Sequence, residues 1–185
     1  RSIEFDDAEI GRLAATSTGV AHCPTSNARL GNRICRTADL VAAGVSVGLG
    51  VDGAASNESA RLLEEVHQAV LMARARGGPT ALTTRTSLEL ATRGGARVLG
   101  REDEIGSIEV GKFADLVLWD LTTFAHSDID DPVAAIVLGA FPPIRGSWVH
   151  GRRIVDDGVL LTTDVEVLAG DTATLTLEPA AGGEA

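Results

Sequence analysis

Val45-Ser46-Val47-Gly48-Leu49-Gly50-Val51-Asp52-Gly53-Ala54-Ala55-Ser56-Asn57 is the stretch on which the fold turns. Its first seven residues form a short apolar run, the pattern of a buried strand. The run delivers an aspartate at its C-terminal end, followed by small residues that let a substrate or a metal approach the backbone closely. A carboxylate at that end of a barrel strand stands where a (β/α) barrel places its catalytic groups. There it can bind a metal through oxygen and take a proton from an activated water. The same aspartate could instead cap a following helix, and the isolated segment leaves both readings open.

Upstream lies Gly19-Val20-Ala21-His22-Cys23-Pro24-Thr25-Ser26-Asn27, a second apolar run ended by proline. About 30 residues from His22 to Asp52 suit one β-α-β step, with a helix over Thr37 to Ala43 stopped by Gly44. Both polar rims would then open on one face. Around this pair the spacing predicts a helix over Asp6 to Ala15, capped by Asp6 or Asp7. It predicts another from about Ser59 to Arg76, with Leu62, Leu63, Val66, Val70 and Met72 as its apolar stripe. A third covers roughly Thr84 to Val98. The order strand, helix, strand, helix, helix fits the closing units of a (β/α) barrel, and two strands cannot close one.

From Gly106 the character changes. Ile108 to Lys112 and Ala114 to Trp119 are β-type runs, Pro132 suits the first turn of a short helix over Val133 to Leu138, and Ser147 to Gly158 reads as a hairpin turning at Gly151. The expected class is α/β: the C-terminal portion of a (β/α)8 TIM barrel over residues 1–103 and part of a small β-sandwich over 104–170. A loose tail follows over 171–185.

Twenty-six acidic residues against 16 basic ones give a net charge of −10, which argues against a nucleic-acid partner. No apolar run approaches the roughly 20 residues that cross a bilayer. Two cysteines without metal-type spacing make a reducing cytoplasm the default. The chain opens Arg1-Ser2-Ile3 without an initiating Met and reads like the middle of a longer protein. Among reactive side chains, His22 taken alone is more often a hydrogen-bonded structural residue than a ligand. Cys23 has no nearby cation to lower its thiol pKa and reads as packed and inert. His67 is expected at a surface or packing position, His126 in solvent and His150 in the hairpin turn.

Taken together, His22-Cys23-Pro24-Thr25-Ser26-Asn27 and Gly48-Leu49-Gly50-Val51-Asp52-Gly53-Ala54-Ala55-Ser56-Asn57 resemble the seventh and eighth barrel strands of amidohydrolase-superfamily deaminases. The most similar group holds 8-oxoguanine deaminase, guanine deaminase, adenosylhomocysteine deaminase and the triazine hydrolases. Gly106 to Val117, Asp131 to Ala135 and Val149 to Arg152 fit the same layout, so the resemblance covers about residues 3–165. It implies that Asp52 binds the metal, usually zinc or another divalent ion such as iron, and shuttles a proton. It implies that His22, Ser26 and Asn27 line the mouth of a site for a small heteroaromatic substrate, His22 as a contact and not a metal ligand. Ser56 and Asn57 would shape the loop after the eighth strand.

The family's His-x-His pair, its fifth-strand histidine with a glutamate three residues on, and its sixth-strand histidine have no match here. One carboxylate cannot hold a catalytic zinc, which takes about three protein ligands. The chain alone is therefore expected to be inert; it is expected either to form a homo-oligomer, as members of the family commonly do, or to need the missing N-terminal part. The implied reaction is hydrolytic deamination of an 8-oxoguanine-like or guanine-like purine or a pterin. The alternatives are a triazine-type hydrolase releasing chloride or alkylamine, and an inactive remnant or barrel-completing subunit.

Overall fold

The structure, a computed structural model, describes residues 4–163. The fold is mixed α/β, and its residues fall into two compact units. One runs up to Phe113 and includes Leu121–Pro142. The other holds Ala114–Asp120 and, among the described residues, 143–163. Residues 104–113 and 121–142 thus belong with the helices and not with the second sheet. The expected tail over 171–185 lies outside the described residues.

In the first unit, α1 (Asp7–Ala15) starts on a reciprocal cap. The Asp6 carboxylate accepts the Glu9 N–H at 2.7 Å and the Glu9 carboxylate accepts the Asp6 N–H at 2.9 Å. Then come β1 (Val20–His22), α2 (Pro24–Arg29), α3 (Thr37–Ala42), β2 (Val47–Leu49) and α4 (Leu62–Gly77). β1 and β2 pair in parallel, with Val20 opposite Val47, Ala21 opposite Gly48 and His22 opposite Leu49. A parallel pair needs a crossover, which α2 and α3 supply. The proline that ends the β1 run does more than stop a strand: at the first position of α2 its fixed φ starts the helix. α4 begins at Leu62 instead of Ser59 because Ala60 takes the left-handed conformation, φ 48°, which interrupts a helix before it.

The core forms where strand and helix stripes meet. Ile10, Val20, Cys35, Leu40, Val45, Val47 and Leu90 make one buried cluster; Val66, Val70 and Val137 make a second; Ala69, Ala73 and Leu82 make a third. Leu49 packs against all three and so ties β2 to its helices. On β1, Val20 and His22 are buried while Ala21 between them is exposed, the period-2 signature of a strand with one covered face.

The long C-terminal helix expected over Thr84 to Val98 is a rod of three parts: α5 (Thr84–Glu89), a π turn (Leu90–Gly94) and α6 (Gly95–Val98). The π turn lies where the rod meets β2. A Cβ on Gly94 would sit 2.2 Å from the Val47 carbonyl oxygen, and one on Gly48 would sit 3.0 Å from Gly95 Cα. Two backbones approach here because neither carries a side chain. α7 (Pro132–Leu138) follows Asp131, whose carboxylate accepts the Val133 N–H at 3.0 Å.

The β-type run Ile108 to Lys112 is not a strand. Gly111 takes φ 99°, the Lys112 N–H donates to the Glu109 carbonyl at 3.2 Å, and Ile108 and Val110 are exposed. The segment is instead a turn anchored by Lys112, which donates to Ser107 Oγ at 2.7 Å. The second unit is an antiparallel sheet in the order β3 (Leu116–Trp119), β4 (Ile144–Val149), β5 (Arg152–Asp156) and β6 (Val159–Leu160). The β4–β5 hairpin turns at His150-Gly151, both at positive φ, as a two-residue hairpin requires.

Candidate functional site

The C-terminal ends of β1 and β2 meet around one carboxylate. Asp52 sits just past β2 with φ 65°, a conformation uncommon outside glycine that aims its side chain back across the rim. Its Oδ1 accepts the Gly53 N–H at 2.9 Å. Its Oδ2 accepts the Ser26 hydroxyl at 2.6 Å, and the Ser56 hydroxyl lies 3.4 Å away. The two hydroxyls are themselves 2.9 Å apart. A hydroxyl bonded to an ionised carboxylate is among the stronger hydrogen bonds. Asp52 does not cap α4, which starts well downstream with Arg61 at its cap position.

Ser26 is fully buried and belongs to α2, whose far end is fixed by an ion pair between Arg29 and Glu58. Thr25, next to it, donates its N–H to Glu65 Oε2 at 3.0 Å. The other oxygen of Glu65 accepts Asn57 Nδ2 at 2.7 Å, and Asn57 Oδ1 accepts the Ser59 hydroxyl at 2.9 Å. Glu65 is 0% exposed, so this carboxylate spans the two rim segments from beneath. Sequence reading passed over it, although it lies beside Val66 and one turn before Ala69 on the buried side of α4, where an acid is costly unless hydrogen-bonded.

His22 and Asn27 stand apart from the Ser26–Asp52 pair. Both line a cavity of about 90 Å³ with Asn32, Cys35 and Met72. His22 shares the face of Leu49, the one covered by the core. It is 3% exposed, its Nδ1 is buried without a hydrogen-bond partner, and burial lowers its pKa to about 4. The imidazole is therefore neutral at pH 7. Cys23 is a packed thiol, pushed up by burial and then by the charges of Asp52 and Glu65, the reverse of what a thiolate nucleophile needs. Neither cysteine is in a disulfide.

The remaining histidines hold structure. His67 Nδ1 lies 2.8 Å from the Val137 carbonyl. His126, expected in solvent, is buried: Nδ1 meets Thr123 Oγ1 at 2.7 Å and Nε2 meets the Ala140 carbonyl at 2.9 Å. A short 3₁₀ turn over Phe124–His126 swings it inward, a local geometry with no sequence period to announce it. His150 is exposed in its turn.

Among the described residues, no three His, Cys, Asp or Glu side chains gather to hold a metal. Asp52 offers one oxygen of the kind a zinc ion or another divalent ion accepts, and a catalytic zinc takes about three protein ligands. These residues can contribute a ligand to a metal site; they do not form one.

The pattern of the amidohydrolase family matches residues 2–169. An 8-oxoguanine deaminase of Pseudomonas aeruginosa is 43% identical over 166 residues, which are 90% of this chain and 37% of that protein. An adenosine deaminase from Xanthomonas campestris with bound zinc superposes with a TM-score of 0.89 at 32% identity, covering 95% of this chain and 40% of that one. An atrazine chlorohydrolase from Arthrobacter aurescens, complexed with zinc, superposes with a TM-score of 0.88 at 28% identity, covering 95% and 39%. The chain thus spans about two fifths of the length of the proteins it matches.

Proposed function

The chain belongs to the amidohydrolase family, and from that premise we propose that it is the C-terminal part of a metal-dependent aminohydrolase. The substrate class is a heteroaromatic ring carrying an exocyclic amine, an 8-oxoguanine-like or guanine-like purine or a pterin. β1 and β2 are then the seventh and eighth strands of a (β/α)8 barrel, and the second sheet belongs to the family's small β-sandwich. A parallel sheet is ordinarily covered on both faces and broader than two strands, so the exposed Ala21 face is consistent with further strands.

The observation that carries this reading is the 2.6 Å bond from Ser26 to Asp52 Oδ2 at the shared C-terminal rim of two parallel strands. In this proposal Asp52 is one ligand of a divalent metal, with the other ligands supplied by residues outside this chain. When bound, such a metal supplies the Lewis acidity that brings the pKa of a water toward neutrality. Asp52 accepts the proton of the attacking water at its carboxylate and returns it to the amine nitrogen that leaves as ammonia. Ser26 and Ser56 hold Oδ2 in place for that exchange. Asn27 and the neutral His22 line the separate cavity beside α2 and back the Ser26 side of the rim without touching the substrate.

The test is ammonia release by the intact enzyme from a panel of purines, pterins and triazines, with Asp52→Asn beside it. Deamination of a purine or pterin, lost by 10³-fold or more in D52N, supports the proposal. Wild-type turnover in D52N rejects it. Chloride or alkylamine release from a triazine, without ammonia from purines, moves the assignment to a triazine-type hydrolase; chloride release is the reaction in the name of the Arthrobacter neighbour.

A further inference from the structure

We infer that Glu65, which no step of the proposed reaction uses, is a positioning residue that clamps the two rim loops so that both hydroxyls meet Asp52. The inference rests on the proposed role of Asp52. Glu65 is a fully buried carboxylate on α4, and it accepts hydrogen bonds from two different rim segments. Oε2 holds the N–H of Thr25, the residue before Ser26. Oε1 holds the side chain of Asn57, the residue after Ser56. Each tie is thus one residue from a hydroxyl that faces Asp52 Oδ2. A buried carboxylate is expensive unless satisfied, and an apolar residue on this side of α4 would pack against Val66 and Ala69 without that cost. What the carboxylate adds is a fixed distance between the ends of β1 and β2. Displacing a reacting group by about 1 Å can cost on the order of 100-fold in rate.

Three variants of the intact, metal-loaded enzyme test this. Glu65→Leu removes both ties with little change in volume. Asn57→Asp sets a second carboxylate against Glu65. Asn57→Asp with Glu65→Gln exchanges the two groups and restores a donor facing an acceptor, while the glutamine oxygen still accepts the Thr25 N–H. Expected for E65L and for N57D is a fall in kcat of about tenfold or more that exceeds any rise in KM. The double variant should return to within about threefold of wild type. Amide exchange at Thr25, read without substrate, should lose protection in E65L and keep it in the double variant.

Wild-type kcat and Thr25 protection in E65L would overturn the inference, as would a double variant no better than N57D alone. Should E65L fail to fold, the exchange pair decides: a folded, active double variant supports the clamp, and one that stays unfolded or slow overturns it. D52N separates the two claims. Unchanged turnover there sinks the reading of the site, while exchange at Thr25 still reports on the clamp.

Discussion

Acidification should destabilise this protein through one imidazole. His22 is 3% exposed, its Nδ1 has no hydrogen-bond partner, and burial lowers its pKa from 6.5 to about 4. Between pH 6.5 and about 4 the unfolded chain binds a proton at this position that the folded chain refuses, so stability falls as pH falls across that window. At 1.36 kcal/mol per pKa unit, the whole window is worth roughly 3 kcal/mol. Urea slopes for a protein of this size of about 2–3 kcal/mol per molar turn that into a midpoint lowered by roughly 1 M on going from pH 7 to about pH 4.5. Other groups also titrate there, so the informative quantity is the difference between wild type and His22→Gln at each pH. The wild type should lose more stability than H22Q on acidification, by about 2–3 kcal/mol. Parallel pH curves for the two proteins would refute the claim that this imidazole is buried and neutral.

The hydroxyl contacts of Asp52 should be unequal. Ser26→Ala removes a short bond to a carboxylate, worth roughly 1.5–3 kcal/mol, so kcat should fall by about 10- to 150-fold; Ser56→Ala removes a contact at 3.4 Å and should cost only a few-fold. Equal effects on steady-state kcat would contradict the geometry. Gly94→Ala forces a methyl to within 2.2 Å of the Val47 carbonyl, an overpacking of about 1–3 kcal/mol or more. Its melting temperature should drop by roughly 5–10 °C. Gly11→Ala, in open space within α1, should instead raise stability by about 0.5–1 kcal/mol. A G94A protein as stable as wild type by calorimetry would mean that the π turn does not abut β2.

Much of this fold is written in local pattern. The apolar runs ending at His22 and before Asp52 became the parallel pair, because a short run bounded by proline or glycine has few other buried solutions. The Asp6 cap and the turn at His150-Gly151 were legible for the same reason, since each is a local rule about hydrogen bonds or φ. What the pattern hid depends on packing. Ile108 and Val110 alternate like a strand, but Gly111 and Lys112 close a turn around them. Gly94 and Gly95 read as ordinary helix residues, and only the approach of β2 explains them. At the site, Asp52 and Ser26 were both singled out, yet their direct bond rests on the register of β1 against β2. His22 and Asn27 sit in a separate cavity because strand alternation turns His22 toward the helix layer. Glu65 was invisible because an acid in a helix normally signals solvent, and its partners come from two distant loops.

The central claim is that the Asp52 carboxylate is a metal ligand in the intact enzyme. Diffraction data collected on either side of the metal's absorption edge, on active enzyme, locate that metal directly. The claim requires an anomalous peak at about 2.0–2.2 Å from an Asp52 oxygen; a fully occupied catalytic metal elsewhere, beyond bonding distance of both Asp52 oxygens, would contradict it.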